Sequence, residues 1–500
     1  MLASNVALAK NGARRGRRMA MRRVALASAS ALARRLGPSS GRWFSSMSVG
    51  QPSPSTHPHL MGVGELTPGF SAREYAERRG RLAEKLPPRS VALLAAASPA
   101  HLPNTIIPYP AYRQDADFAY LTGILQPGCV AMVIKGSDAS DATFLLFVPP
   151  KSAREETWNG ARVCVNAATT YFGADEAFDL GPGTTREILK RLADAENVFA
   201  DGELLRRDQN RFVAAALGTA GVAGGVAAIR PLRPLVHALR WRKSRAEMDA
   251  MRASVEADIQ GFHAAMRVSA PGVIERDAVA EHERAVKRFG ADRVAYPSVV
   301  GSGAGALIIH YAAMDALMRQ GDVLLMDAGC ERSGYVSDIT RTWPVVGTFT
   351  NAQADVYDAV LDCNRKCVAA ARVGTSLSDL HALSVRLLTA SMRDLGVKLE
   401  VEKYAKYYPH SVGHWLGMDT HDTPSVSTST PLAPGCAFTV EPGLYFPADD
   451  EAVPKGLRGV GVRIEDNLAV DPETGEVNVL SANLPVGREE QDALLGKLRG

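Results

Sequence analysis

Four carboxylates stand in apolar, strand-like segments of the second half of the chain, and they constrain the fold more than any other feature. DVLLMDAGC carries Asp327, and GYVSDITRTW carries Asp338. Glu441 ends the apolar run CAFTV, and Glu465 lies within the apolar segment GVGVRIEDNLAV, two residues after Arg463. Burying a carboxylate is costly unless a cation or several donors compensate its charge. The fold must therefore bring cations or hydrogen-bond donors to each of these segments.

The first two carboxylates belong to a predicted hairpin. Residues 322–331 and 335–345 flank a turn rich in Gly and Ser, and each range contains alternating apolar residues. Strand alternation places Asp327 on one face of the first strand and Asp338 on one face of the second, so the two side chains could meet. A capped turn or a surface salt bridge would also explain such a pair.

Histidines cluster in the segment HSVGHWLGMDTHD, which holds His410, His414 and His421. Four carboxylates and one imidazole form a hard, oxygen-rich ligand set that suits Mn²⁺ better than structural zinc. Enough carboxylates are present to bridge two ions in a hydrolytic site. A core histidine at 414 and an ion pair between Arg463 and Glu465 are the structural alternatives.

The charge of the chain is divided unevenly. Residues 1–64 hold ten of the 57 basic residues and none of the 54 acidic ones, which leaves a net charge of −7 for residues 65–500. An Arg-rich, acid-free, Ala- and Ser-rich leader is typical of a mitochondrial transit peptide, with a plastid address or a basic tail as alternatives. Residues 45–60 are Ser- and Pro-rich and predict a linker. The acidic body offers no basic excess for binding nucleic acid.

No other segment suggests a membrane span or a disulfide framework. Residues 212–229 are uncharged but contain four glycines, which favours a packed helix and a loop. The six cysteines include no CxxC pair, so we expect six free thiols.

The pattern of apolar runs divides the body into two parts. Residues 91–97, 129–135 and 143–149 predict buried strands. An amphipathic helix then runs from about 245 to Pro271-Gly272, and a second helix spans roughly 274–289. We expect a leader and linker over 1–64, an accessory domain over 65–238 and a catalytic domain over 239–500.

The motifs DAG…SDITRT, HxxxHWLGMDTHD, EPGLY and RIED, in this order and spacing, resemble the metallopeptidases with the creatinase-type "pita-bread" fold. Within them the chain is similar to the aminopeptidase P family, the Xaa-Pro aminopeptidases, and especially to its mitochondrial intermediate-cleaving branch. PYPAYRQDADFAYLTGILQPG, residues 108–128, resembles the signature of the family's accessory domain. The resemblance covers roughly residues 65–490. It implies an α/β fold of the α+β kind, with a mixed α/β accessory domain followed by a pita-bread domain.

The resemblance also implies roles for single residues. Two Mn²⁺ ions, or other divalent metals, would be held by five side chains: Asp327, Asp338, His414, Glu441 and Glu465. The remaining matched positions surround the substrate and are His310, His410, His421 and Arg463, with Tyr445 beside Arg463. Glu441 would move a proton to the leaving nitrogen, and His421 would donate to the developing oxyanion.

The expected activity is that of a metallo-aminopeptidase that uses a metal-activated water to remove the first residue of peptides or proteins. Its substrates would be Xaa-Pro peptides, or imported proteins after presequence cleavage. We expect a homodimer in the mitochondrial matrix. The leader segment GRWFSS suggests that the enzyme removes its own Phe44 to expose Ser45.

Three other readings remain. A dipeptidase for Xaa-Pro (prolidase) shares all five ligands, a methionine aminopeptidase normally lacks the accessory domain, and pita-bread binding modules lose ligands that this chain keeps. One motif departs from the family pattern: SGAGALIIHY retains His310-Tyr311 but has Gly305 where an Asn is expected.

Overall fold

A five-stranded mixed sheet forms the first half of the body. The computed structural model describes residues 49–499, apart from residues 106, 110, 138–141, 202–210, 220–228 and 400–402. The sheet has the strand order β6-β5-β4-β3-β7, with β3–β4 and β4–β5 antiparallel and the two edge pairs parallel. The strands of this half are β1 (Glu65–Thr67), β2 (Phe70–Ser71), β3 (Ser90–Ala95), β4 (Val130–Lys135), β5 (Ala142–Val148), β6 (Glu176–Asp179) and β7 (Asn197–Ala200). The three strands predicted from apolar runs are confirmed within one or two residues.

Helices cover this sheet and lead to the second half. The accessory helices are α1 (Ala72–Lys85), α2 (Ala116–Thr122), α3 (Ala153–Asn159), α4 (Val165–Thr170), α5 (Thr184–Leu192) and α6 (Arg211–Thr219). The junction between the halves, which the sequence marks by its prolines and charges, is the helix α7 (Arg233–Arg240). Its Pro234 lies in the first turn, where a missing backbone N–H costs nothing.

The Ser- and Pro-rich segment before β1 is not a free linker. Val49, Ser53 and Met61 are buried. The Gln51 side-chain amide donates to the Gly123 carbonyl at 2.9 Å, and Gln126 donates to the Val49 carbonyl at 2.9 Å. The linker prediction was therefore wrong from residue 49 onward, because these contacts tie the segment to the accessory domain. Residues 45–48 lie outside the described part of the chain.

Two long helices open the second half as predicted. The helix α8 (Arg245–Val268) begins at a capping box formed by Ser244 and Glu247, and α9 (Glu275–Arg288) follows after Pro271-Gly272. The predicted apolar stripe of α8 is buried and packs on the sheet beneath it.

The remaining strands form small antiparallel sheets that are covered by helix pairs. Their orders are β13-β10-β9, β12-β11-β8, β14-β17-β18 and β15-β16. The strands are β8 (Arg293–Val294), β9 (Val299–Ser302), β10 (Val323–Ala328), β11 (Cys330–Arg332), β12 (Tyr335–Val336), β13 (Ile339–Pro344), β14 (Ala437–Val440), β15 (Gly443–Tyr445), β16 (Gly461–Arg463), β17 (Asp466–Val470) and β18 (Val477–Val479). The helices are α10 (Asn351–Ala370), α11 (Leu377–Asp394) and α12 (Arg488–Arg499).

The predicted hairpin is present, but it is broken in the middle. β10 pairs with β13, whereas β11 and β12 belong to a second sheet. The break lies at Gly329, where an added Cβ would stand 2.0 Å from the Ser337 carbonyl oxygen. Only glycine allows this close approach, which places Asp327 and Asp338 at the junction of the two sheets.

The structure bears on the expected absence of a membrane span and on the expected free thiols. Among the described helices, none combines the length and the apolar character needed to cross a bilayer. The six cysteines are free, as expected, and all but Cys164 are buried. Within the uncharged stretch at 212–229, residues 212–219 form most of α6. Residues 220–228 lie outside the described part of the chain.

Shortening the chain tests the role of the segment before β1. A protein that begins at residue 46 should keep the melting temperature of the longer chain, whereas one that begins at residue 63 should melt about 5 °C lower. The second protein loses the buried Val49 and Met61 and at least two side-chain hydrogen bonds. Thermal unfolding followed by circular dichroism measures the difference, and equal melting temperatures would show that the segment does not stabilise the fold.

Candidate metal centre and active site

All nine residues singled out in the sequence line one cavity of about 710 Å³ in the second half of the body. They come from six separate places in the chain, between His310 and Glu465. These residues are His310, Asp327, Asp338, His410, His414, His421, Glu441, Arg463 and Glu465. The fold therefore brings together every side chain that the sequence analysis selected.

Strand ends and breaks position the four carboxylates. Asp327 lies in β10, Asp338 lies between β12 and β13, and Glu441 directly follows β14. Glu465 lies between β16 and β17 rather than in the middle of one strand, which corrects the prediction from its apolar surroundings. Its backbone N–H donates to the Thr340 carbonyl at 3.0 Å, so this break joins the two strand systems.

The carboxylates crowd around one tyrosine. The Tyr296 hydroxyl lies 2.5 Å from Asp327 Oδ1 and also within hydrogen-bond distance of Asp338 Oδ1. One hydroxyl proton can be donated to only one carboxylate at a time. Burial and the adjacent carboxylates raise the pKa of Tyr296, so the hydroxyl stays protonated. Tyr296 thus cannot neutralise the two charges that it holds together.

Arg463 pairs with Asp327 and not with Glu465. Its Nη2 donates to Asp327 Oδ2 at 2.6 Å, and its Nη1 donates to the Tyr445 hydroxyl at 2.8 Å. The ion pair between Arg463 and Glu465, which would have explained both residues structurally, is not formed. Glu465 instead accepts from the Thr340 hydroxyl at 2.7 Å.

His414 is oriented as a metal ligand would be. A carbonyl oxygen only accepts, so the Nδ1–H donates to the Trp415 carbonyl at 3.1 Å and Nε2 faces the carboxylates. Nε2 lies 3.3 Å from Asp338 Oδ2 and 3.7 Å from Glu441 Oε1. Ligand atoms of Asp338, His414 and Glu465 all lie within 4.8 Å of one another. Burial opposes the charged imidazole, but the hydrogen bond to Asp338 and the nearby carboxylates raise the pKa of His414 to about 9.

The site has more negative than positive charge. Burial raises the pKa of Asp327 despite Arg463, and it raises the pKa of Glu441 to about 7. Burial and the neighbouring carboxylates also raise the pKa of Glu465. Within the cavity lining, Arg463 is the permanent cation beside four carboxylates. The residues therefore fit divalent cations, whose charge would compensate the carboxylates and leave them ionised.

The other histidines differ in their surroundings. Burial and Arg463 lower the pKa of His410 to about 3, so the ring is neutral. Its Nδ1–H donates to the Ser411 carbonyl at 2.8 Å, and Nε2 accepts from the Tyr445 hydroxyl at 2.9 Å. The ring of His421 contacts that of His414 with centroids 4.4 Å apart. His310 and His421 are exposed at the cavity wall.

Three residues of the site were not selected from the sequence. Tyr296 joins two carboxylates, Thr340 contacts both Glu465 and Arg463, and the Asn467 side chain bonds the backbone of Asp338. Thr340 and Asn467 each lie two residues after a predicted ligand, Asp338 and Glu465, and this spacing is a usable signal. Tyr296 comes from a separate segment, and no spacing rule connects it to the others.

The position of the unexpected glycine lies beside the cavity wall. Gly305 is in a 3-10 turn, Gly303–Leu307, that precedes His310. An added Cβ would stand 3.3 Å from the Tyr311 ring and 3.4 Å from Glu275 Oε1. A larger residue would thus displace Tyr311 or Glu275 and leave the carboxylate cluster untouched.

Comparison with known proteins identifies the family of the chain. The family model described as "Metallopeptidase family M24" matches residues 249–472, and that described as "Aminopeptidase P, N-terminal domain" matches residues 75–199. A curated relative named "Intermediate cleaving peptidase 55, mitochondrial", from Arabidopsis thaliana, is 36% identical over 450 residues, which are 89% of this chain and 87% of the relative. The chain belongs to metallopeptidase family M24.

Further matches within family M24 extend over most of the chain. The human protein named Xaa-Pro aminopeptidase 3 is 36% identical, over 87% of this chain and 88% of its own length. The solved structure titled aminopeptidase P from E. coli, low pH form, superposes with a TM-score of 0.79 at 34% identity, over 86% of this chain and 99% of that one. The predicted family, the accessory and pita-bread architecture and the assignment as a metallo-aminopeptidase are confirmed.

Removing the tyrosine hydroxyl tests the arrangement of the carboxylates. Tyr296→Phe should weaken divalent-metal binding about 10- to 100-fold, because the hydroxyl orients Asp327 and Asp338. Isothermal titration with Mn²⁺ measures the affinity. Tyr311→Phe is the matched control, because Tyr311 also lines the cavity but bonds Glu275 instead of the cluster. Equal affinities of both variants would contradict the orienting role.

The protonation states predict how metal binding depends on pH. His414, with a pKa of about 9, and Glu441, with a pKa of about 7, must lose their protons to offer lone pairs to a metal. Affinity should therefore rise from pH ~6 to pH ~9, with proton release that is visible as buffer-dependent binding heat. His414 stabilises the metal-free fold only below its raised pKa, and Glu441 destabilises it as pH passes 4.5 toward 7. The gain in melting temperature on adding metal should consequently widen with pH, and a constant gain would contradict these protonation states.

Proposed function

We propose that this protein is a dimetal-dependent aminopeptidase that removes the first residue from peptides and from imported, presequence-cleaved proteins. One observation carries the proposal: five potential ligands meet at one cavity beside a single permanent cation. The ligands would be Asp327, Asp338, His414, Glu441 and Glu465. A metal-free binding module would have no use for such uncompensated charge.

Two Mn²⁺ ions are the proposed cofactor, because the ligand set is rich in carboxylate oxygens and has one imidazole. Bound divalent ions would supply a water molecule of lowered pKa and positive charge near the scissile carbonyl. Asp327 and Asp338 are held together by Tyr296 and would each contact the ion pair. Thr340 orients Glu465, and the Trp415 carbonyl orients His414.

Glu441 is proposed to move the proton during the reaction. In the metal-free chain, burial raises the pKa of Glu441 to about 7, which supports this carboxylate as a proton carrier near neutral pH. A Glu441 oxygen would take a proton from the attacking water and give it to the leaving nitrogen. When the second residue is proline, this nitrogen carries no hydrogen before cleavage, so the added proton creates its first N–H.

His421 is proposed to stabilise the oxyanion. Burial and the nearby His414 lower its pKa, so the ring is neutral and has one N–H to donate. Its exposed position at the cavity wall gives that N–H access to a substrate carbonyl. His310 lines the same cavity and is proposed to contact the substrate.

His410 and Arg463 are proposed to act on the same wall through one hydrogen-bond chain. Arg463 holds Asp327 and Tyr445, and Tyr445 in turn donates to His410. This chain fixes a permanent positive charge near Asp327 without blocking the cavity. His410, which burial and Arg463 keep neutral, would line the cavity that the substrate enters.

The leader and the relatives support a proposal for the compartment and the organisation of the chain. The Arabidopsis relative is named as mitochondrial, and the acid-free leader agrees with that address. We propose the mitochondrial matrix, a leader ending before residue 49, and a division into accessory and catalytic domains near residue 238. The proposed self-processing at Phe44 concerns residues outside the described part of the chain. A homodimer is proposed from the family resemblance.

Peptide hydrolysis by the purified protein tests the function. With Mn²⁺ present, the protein should release the first residue from a Phe-Pro-Ala peptide and from a Phe-Ser-Ala peptide, and it should leave a Phe-Pro dipeptide largely intact. Asp338→Asn should lower kcat/KM at least about 100-fold through loss of a ligand. Asp358→Asn is the matched control, because Asp358 forms only an exposed ion pair with Arg488.

Each other outcome selects a different function. Preferential hydrolysis of the dipeptide would identify a prolidase, and a need for proline at the second position would exclude general trimming. Inactivity of the wild-type protein with every divalent metal would overturn the enzyme proposal. Metal analysis of the same samples shows which ion accompanies activity.

A further inference from the structure

The turn between two site histidines is closed by a buried carboxylate. The turn spans residues 415–420, so that His414 precedes it and His421 follows it. The Asp422 backbone N–H donates to the Trp415 carbonyl at 2.9 Å, and the Asp422 carboxylate folds back over Gly417. A Cβ on Gly417 would stand 2.4 Å from Asp422 Oδ2, so the turn is packed around this carboxylate.

Two buried cations hold that carboxylate. Lys243 Nζ lies 3.0 Å from Asp422 Oδ2, and the Arg240 guanidinium bonds Asp422 Oδ1. The same Arg240 nitrogen lies 2.9 Å from Asp419 Oδ2, farther back in the turn. The Arg240 side chain is only 3% exposed, so these contacts are shielded from water and salt.

The accessory domain reaches the same turn. Arg113, from the signature segment YRQDADF, donates to Asp419 Oδ1 at 2.9 Å and to the Met418 carbonyl at 2.5 Å. It also pairs with Glu331 at 2.5 Å, next to the broken hairpin. Asp117 of α2 accepts from Arg240 Nη1 at 2.5 Å, so one guanidinium joins the accessory domain to the turn.

The His421 ring depends on this support. Across the described residues, no side chain or backbone group forms a hydrogen bond with the His421 ring, and its aromatic ring contact is with His414. Its position is therefore set by the backbone on either side, and Asp422 is the next residue. Displacing Asp422 would move His421 directly.

We infer that Arg240 and Arg113 are positioning residues through which the accessory domain fixes His421 relative to His414. This inference rests on the proposed role of His421 in the reaction. Misplacing a reacting group by about 1 Å can cost about 100-fold in rate. The accessory domain would thereby contribute to the chemical step without supplying a residue to the cavity.

Steady-state kinetics of positioning variants test this. Arg240→Gln and Arg113→Gln should each lower kcat about 10- to 100-fold and change KM less than about three-fold. Arg240→Lys should be intermediate, because it keeps the charge but loses the fork that spans Asp117, Asp419 and Asp422. Arg113 is 35% exposed, so its variant should fold even where Arg240→Gln does not.

A buried arginine elsewhere gives the matched control. Arg79 is 8% exposed and donates to the Leu121 carbonyl at 3.0 Å within the accessory domain. Arg79→Gln should lower the melting temperature and leave kcat unchanged. The fold-losses in kcat from Arg240→Gln and Asp422→Asn should combine to less than their product. The losses of stability from Arg240→Gln and Arg79→Gln should add when the two substitutions are combined.

The outcomes separate this inference from the function on which it rests. An active wild type with unchanged kcat in folded Arg113→Gln and Arg240→Lys would overturn the positioning role alone. A fall in kcat for Arg79→Gln equal to that of Arg240→Gln would also overturn it, because the effect would then be one of general stability. An inactive wild type would instead contradict the proposed function.

Discussion

Four carboxylates gathered at one cavity, where desolvation and their mutual repulsion both disfavour the charged form, are the constraint around which the catalytic half is organised. Asp327, Asp338, Glu441 and Glu465 face one cavity, and Arg463 supplies one permanent positive charge among its lining residues. Burial, with a smaller contribution from the neighbouring carboxylates, raises the pKa values of Asp327, Glu441 and Glu465 in the metal-free chain. The surrounding hydrogen bonds orient the oxygens but cannot neutralise them. The fold therefore stores an unfavourable charge arrangement that divalent cations would relieve, and affinity for cations follows from how the strands are packed.

The interruptions in the strands matter more to the site than the strands themselves. Asp338, Glu441 and Glu465 each lie just outside a regular strand, where the backbone changes direction. Gly329 permits the chain to pass within contact distance of Ser337, and the bridge between Thr340 and Glu465 joins the two strand systems. A continuous strand would direct alternate side chains to opposite faces and could not gather these groups at one point.

The sequence predicts the candidate metal-ligating residues better than it predicts the residues that position them. A carboxylate in an apolar run is visible from the sequence because its burial needs a compensating charge, and this identified Asp338 and Glu465. The break at Glu465 was not predicted, since its apolar neighbours are equally compatible with an uninterrupted strand. Tyr296 was missed because an aromatic residue before proline carries no mark of its distant partners. Residues 49–60 belong to the segment expected to be a linker from its Ser and Pro content. They are fixed by the glutamine side chains at positions 51 and 126, whose partners are far away in the chain.

The fixed amino-terminal segment has a consequence for proteolysis. An exopeptidase must draw an extended, unpaired chain end into its own cavity, and backbone that is engaged in a fold is not available for this. Here the Val49 carbonyl is bonded by Gln126, and Gly50 adopts a φ of +73° in close contact with that glutamine. Stepwise removal of residues from the leader would thus meet a physical barrier at this point. The folded body would set this boundary for any peptidase that trims the proposed leader.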